Sequence, residues 1–148
     1  MRHELDQRHA MQFIKAGKST LTIQSKDSGK HFTFKFSTPK KEENNAKDVP
    51  TWVRLLTGSD NTGRYTYLGT IFGSKYFHGK RSSVSEEAQS VQSFIWWFKS
   101  VAAQDSKRLA RIALFHEGTC LCCGRQLTTP ESIKSGIGPV CASTFQTA

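Results

Sequence analysis

No stretch of this chain stays apolar for anything near the roughly 20 residues that a membrane-spanning helix requires; this predicts a soluble protein with no membrane partner. Its opening, Met1-Arg2-His3-Glu4-Leu5-Asp6, lacks the pattern of a secretory signal. The expected compartment is therefore cytoplasmic, where clustered cysteines serve metals more often than disulfides. Three catalytic signatures are also missing: His-Glu-x-x-His, Gly-x-Ser-x-Gly and the phosphate-cradling Gly-x4-Gly-Lys. His116-Glu117 is not followed by the proline-linked cysteine pair of a zinc deaminase. Only Glu117, Glu131 and His78 remain as conceivable acid-base helpers, so a binding protein is expected and not an enzyme. Acidic groups are scarce as well, 12 against 21 Lys and Arg, for a net charge of +9. That balance argues against a mimic of nucleic acid and for anionic partners held at low salt. The excess is not gathered in a tail: residues 1–50 carry ten basic and six acidic side chains, 51–104 six and three, and 105–148 five and three.

Cysteine is absent from the first 119 residues, and all four cysteines then fall between Cys120 and Cys141. Cys120 and Cys123 are two residues apart with Gly124 directly after, the arrangement in which a tight turn points two sulfurs at one ion. Cys141 follows after seventeen more residues, behind Gly138-Pro139. Proline suits the first turn of a helix, where free amides and the helix dipole favour a thiolate. Two residues compete to be the fourth ligand, His116 and Cys122. Adjacent side chains diverge, which makes Cys122 beside Cys123 the poorer candidate, so the expected set is His116, Cys120, Cys123 and Cys141. Four protein ligands leave no open position, and the ion, Zn2+, would be structural. Between the ligands, Gly124 to Thr128 suits one hairpin strand, and Thr129-Pro130-Glu131-Ser132 offers an N-cap with proline at the first helical position. Gly136 to Pro139 then bends the chain back, glycine tolerating positive φ there. The expectation is a treble-clef-like module.

The string HEGTCLCCGRQLTTPESIKSGIGPVC resembles a small, functionally unassigned zinc-binding tail that recurs in proteins of phages, prophages and other mobile elements, with the pattern HEG-x-C-x2-CGR-x-LT-x-PESI-x2-GIGP-x-C. The resemblance implies ligands at His116, Cys120, Cys123 and Cys141 and leaves Cys122 outside the pattern. It also implies a bacterial host as the cellular setting, but no activity. Upstream, QFIKAG, FTFKF and TYLGTIF are weakly similar to segments that accompany this tail.

Before the tail, Leu5, His9, Phe13 and Ile14 recur near helical spacing up to Gly17, predicting a short helix. Leu21 and Ile23, then Phe32, Phe34 and Phe36, alternate with polar residues on either side of Asp27-Ser28-Gly29, which reads as a hairpin with one apolar face. A second hairpin is expected from Trp52–Leu56 and Arg64–Phe72, around a turn-rich loop. Ser83 and Glu86 read as a capping box opening a long helix to Gln104, with Val84, Ala88, Val91, Phe94, Ile95, Phe98, Val101 and Ala102 as its buried stripe. Trp97 can join the stripe, and Trp96 is expected to wedge against the zinc module. Residues 109–115 read as a strand feeding the cysteines, with a short helix as the alternative.

The predicted architecture is α+β: an antiparallel sheet of about four strands covered by one amphipathic helix (residues 1–104), closed by the zinc-binding module (105–148). The segment FGSKYFHGKR, read as a loop, interleaves Lys75, Lys80 and Arg81 with Tyr76, Phe77 and His78, a mixture suited to phosphates and base stacking. Lys35, Thr33, Arg54, Tyr65 and Tyr67 could share a polar, aromatic sheet face, and Arg125 could reach a phosphate. The expected function is nucleic-acid binding through Lys35, Lys75, Tyr76, Lys80, Arg81 and Arg125. The alternative is a host-directed protein that inhibits a bacterial defence system, such as an anti-CRISPR.

Overall fold

The computed structural model describes residues 3–39, 49–57, 65–122 and 136. In chain order these form β1 (His3–Leu5), a 3-10 turn (Gln7–His9), α1 (Ala10–Ile14), β2 (Lys18–Ser25), β3 (His31–Ser37), β4 (Thr51–Leu56), β5 (Tyr65–Phe72), β6 (Lys75–His78), α2 (Gln89–Ala102), α3 (Ser106–Leu109) and β7 (Ile112–His116). The fold is α+β, and its sheet runs β1-β7-β2-β3-β4-β5-β6 with every neighbouring pair antiparallel. Among the described residues no helix is long and apolar enough to cross a membrane.

Alternation fixes which side of each strand meets the core. Leu21 and Ile23 lie opposite Phe34 and Phe32, and Phe34 and Phe36 lie opposite Leu55 and Val53, so one apolar face runs across three strands. Helix α2 covers that face with Val91, Phe94, Trp97, Phe98 and Val101. Phe94 is the hub: its ring stands 5.0 Å from Phe34, 6.0 Å from Phe36, 5.8 Å from Phe98 and 5.0 Å from Tyr76. Full burial of such a ring is worth about 1.5–3 kcal/mol, and each aromatic pair adds roughly 0.5–1.5 kcal/mol. Trp97 is also buried, and its indole Nε1 donates to Gln7 Oε1 at 2.9 Å, so the core tryptophan leaves no donor unmet.

The sheet has seven strands where about four were expected, and each addition has a local cause. Leu5, which helical spacing groups with His9 and Phe13, ends β1 and pairs with Leu114 of β7. Asp6 then accepts from the Arg8 amide at 2.9 Å, so helical backbone starts only beyond that capped turn. The expected loop after Phe72 is instead a tight turn at Gly73-Ser74 into β6, which pairs Thr70 with Phe77 and Ile71 with Tyr76. β7 bears out the strand reading from Ile112 to Phe115, whereas Leu109 ends α3 and residues 110–111 form the turn between them. β7 lies between β1 and β2, so residues grouped by sequence with the zinc module share the main sheet.

The long helix begins at Gln89 and not at Ser83. The Val84 carbonyl is taken by His78 Nε2 at 2.8 Å, and the Ala88 amide turns to Ser85 O at 3.0 Å. Both bonds replace the i to i+4 bond that a Ser83 cap would have started. Glu86 and Glu87 therefore sit in a turn ahead of α2.

Candidate nucleic-acid interface and metal-binding segment

Opposite α2, the same alternation sends Thr20, Thr33, Lys35, Trp52 and Arg54 to the second face of the sheet. A register shift between Val53 and Arg54 then matters: Val53 pairs with Gly69 but Arg54 pairs with Tyr67. This bulge turns both Tyr65 and Tyr67 to the outer side while leaving Leu68 buried in the core. Thr70, opposite Trp52 and Phe77, continues the outer row onto β6, where Lys75 and Phe77 alternate with Tyr76. The rings of Phe72 and Phe77 meet edge-on at 6.0 Å. Among the described residues the exposed large hydrophobics are Trp52 (42%), Phe72 (45%) and Phe77 (53%), and all three stand on this face.

The charge is arranged beside the rings. Lys35 Nζ lies 4.3 Å above the Tyr65 ring, a cation–π contact that keeps the ammonium at the surface. Lys35 is opposite Arg54, and Lys18, opposite Ser37, extends the basic row. One carboxylate stands on the β2–β3 side of this row, near Tyr65: Glu117 Oε1 accepts from Thr22 Oγ1 at 3.1 Å, and Thr22 in turn is 2.7 Å from Thr33 Oγ1. Burial first, and the Glu117 charge second, hold the Tyr65 phenol above its ordinary pKa. From Lys35 on β3 to Phe77 on β6 is three strand spacings, or about 14 Å.

The sequence-predicted binding residues divide accordingly. Lys35 and Lys75 join this face. Tyr76 turns inward, opposite Ile71, and packs edge-on against Phe94. Its burial pushes the phenol well above its usual pKa, and its hydroxyl donates to His78 Nδ1 at 2.9 Å. His78, with Nε2–H on the Val84 carbonyl, is engaged at both nitrogens. Lys80 and Arg81 are exposed in the turn after β6. Arg125 lies outside the described residues. Trp52, Phe72 and Phe77 were not singled out as a group, although Trp52 alternates with Val53 and the signal was present locally.

The metal-binding segment is partly in view. His116 ends β7 and Cys120 follows in the next turn, both fully buried. The Gly118 amide donates to His116 Nδ1 at 3.0 Å and His3 stacks on the ring at 5.0 Å, so the imidazole is oriented from two sides. Buried imidazole and thiol donors are the chemistry zinc prefers. Cys123 and Cys141 lie outside the described residues, and among the described residues no group of three or more metal-ligating side chains forms. The segment is bound to the sheet by its backbone. Lys18 N donates to Leu121 O at 3.0 Å, and a Cβ on Gly17 would stand 2.5 Å from the Cys122 carbonyl. Gly136 returns to the same place, its carbonyl accepting from Leu121 N at 2.8 Å with a φ of +78°. Trp96, expected to wedge against this segment, packs on the core from α2 and carries the Arg108 guanidinium 5.7 Å above its ring.

Residues 115–146 match the model of a family of unknown function (DUF6011), a span that starts inside β7 and includes every cysteine. No curated protein and no solved structure matches the chain.

Proposed function

We propose that the outer face of the sheet binds nucleic acid. Lys35, Arg54 and Lys75 would contact phosphates, and Trp52, Phe72 and Phe77 would stack on bases. The observation that carries this reading is that the exposed large hydrophobics among the described residues gather on one sheet face beside those cations. Aromatics on a sheet flanked by positive charge form a platform of the kind that holds two or three unpaired bases. Lys80, Arg81 and Arg125 would extend the phosphate track. At the other end, His116, Cys120, Cys123 and Cys141 would hold a structural zinc in a treble-clef-like module, giving the chain after β7 a core of its own. The resemblance of that tail to phage and mobile-element proteins supplies the setting, a bacterial host.

Fluorescence anisotropy with single- and double-stranded oligonucleotides at two ionic strengths tests the proposal. Single strands should bind more tightly than duplex, because a duplex keeps its base faces covered. Absence of binding at low salt ends it.

The same exposed rings favour a second reading, since aromatic anchors also form the centres of protein interfaces. A host-directed inhibitor of a bacterial defence system, such as an anti-CRISPR, would present such a face to a protein. Pull-down from host lysate after nuclease treatment separates the two: a retained partner favours the inhibitor, and loss of all binding favours nucleic acid.

A further inference from the structure

On the α2 side of the sheet, away from the outer face, a groove of about 720 Å³ runs between the β2–β3 hairpin, α2 and the start of β7. Its volume falls within the roughly 300–1,000 Å³ of small-molecule sites. Its lining divides into an apolar wall, made by the half-buried Phe32, Ile95 and Trp96, and a charged rim of Lys30, Lys99, Arg108 and Arg111. Asp27 is the one carboxylate in the lining, and it is occupied: Arg111 Nη2 lies 2.6 Å from its Oδ2. Arg108 is shared between Asp105 at 3.5 Å and the face of Trp96. Among the described residues Lys30 and Lys99 have no carboxylate partner. Lys30 Nζ reaches only the neutral Gln89 Oε1, at 3.3 Å. The groove thus combines a flat apolar surface with uncompensated positive charge, and Gln24, Gln89 and Gln92 complete its lining.

We propose that this groove is a second binding site, for a nucleoside phosphate. The base lies against Trp96 and Phe32, and the phosphate pairs with the free charge of the rim, at Lys30 beside Gln89 or at Lys99 further along α2. The same chemical unit comes from a free nucleotide or from the 5′-phosphorylated end of a strand. The site is independent of the outer face and does not require that face to bind anything.

Isothermal titration calorimetry of the full chain with AMP, adenosine, inorganic phosphate and a 5′-phosphorylated oligonucleotide tests it. AMP should bind more tightly than adenosine or phosphate alone. The exposed double substitution K30Q/K99Q should weaken AMP about tenfold or more, because the charge-assisted contact to the phosphate is lost at either lysine. K35Q/K75Q, on the outer face, should leave AMP affinity unchanged while weakening oligonucleotides, so failure of one site is distinguishable from failure of the other. A 5′-phosphorylated strand that competes with AMP identifies a strand end, and one that does not identifies a free nucleotide. No heat with AMP, equal affinity for AMP and phosphate, or unchanged AMP binding in K30Q/K99Q would overturn the proposal.

Discussion

Lys35, Arg54 and Lys75 set how steeply oligonucleotide binding should fall with salt. For single strands each neutralised phosphate contributes about 0.7 to the slope of log affinity against log salt, so these three cations alone give a slope of about −2, which contacts from Lys80, Arg81 and Arg125 would steepen. Raising salt from about 50 to about 200 mM should then weaken binding at least twentyfold, about the factor these three contacts alone supply. Lys35→Gln removes one contact and the charge held over Tyr65, and should make the slope shallower by about 0.7. Lys75→Gln should do the same from the β6 end. Lys107→Gln, exposed on α3, is the control and should change nothing. The readout is anisotropy of a labelled oligonucleotide at three salt concentrations, with circular dichroism to confirm that each variant is folded. A slope near zero, or slopes in Lys35→Gln and Lys75→Gln equal to that of the unmodified protein, would refute the assignment of these cations to phosphates.

Trp52→Ala and Phe77→Ala should each cost about 1–3 kcal/mol of oligonucleotide binding. Both rings are exposed, so thermal midpoints should barely move, and intact binding in both variants would sink the stacking role. Elemental analysis of protein purified without added metal should find one zinc per chain, and chelation should cost on the order of 10 kcal/mol. Zinc-free, fully folded protein would contradict the ligand set. Tyr76 ties stability to alkaline pH. Burial holds its phenol above the ordinary pKa of about 10 in the folded chain, so the folded state keeps a proton that the unfolded state releases. Its contribution is complete below pH 10.0 and is lost as pH rises from there toward the folded value. Urea denaturation at rising alkaline pH should show that loss in the unmodified protein and a flatter profile in Tyr76→Phe.

The elements legible in the sequence are those with local, periodic signals. Phe32, Phe34 and Phe36 announce a one-faced strand, and the stripe from Val91 to Val101 announces a helix on top of it. β6 was hidden because Lys75, Phe77 and their neighbours read as a basic, aromatic loop. Only the pairing with β5 shows that Tyr76 and Phe77 point opposite ways. The helix start was misplaced because the competing partner of the Val84 carbonyl, His78, belongs to another element. Lys35, Thr33, Arg54, Tyr65 and Tyr67 read from the sequence as possible neighbours, but the bulge at Val53/Arg54 that puts both tyrosines outside has no signature in either strand alone. The groove was out of reach altogether, because its walls come from residues 23–32, 89–99 and 108–112.

The position of β7 bears on how the chain is made. Leu21 finds its edge partner in His116, 95 positions later, so a nascent polypeptide leaving the ribosome carries β2 with one side open until most of the chain has emerged. Such distant pairing slows folding. It also leaves a strand edge available to other chains in the meantime. A product ending before Ile112 would keep that edge permanently, which makes β7 the closing piece of the sheet.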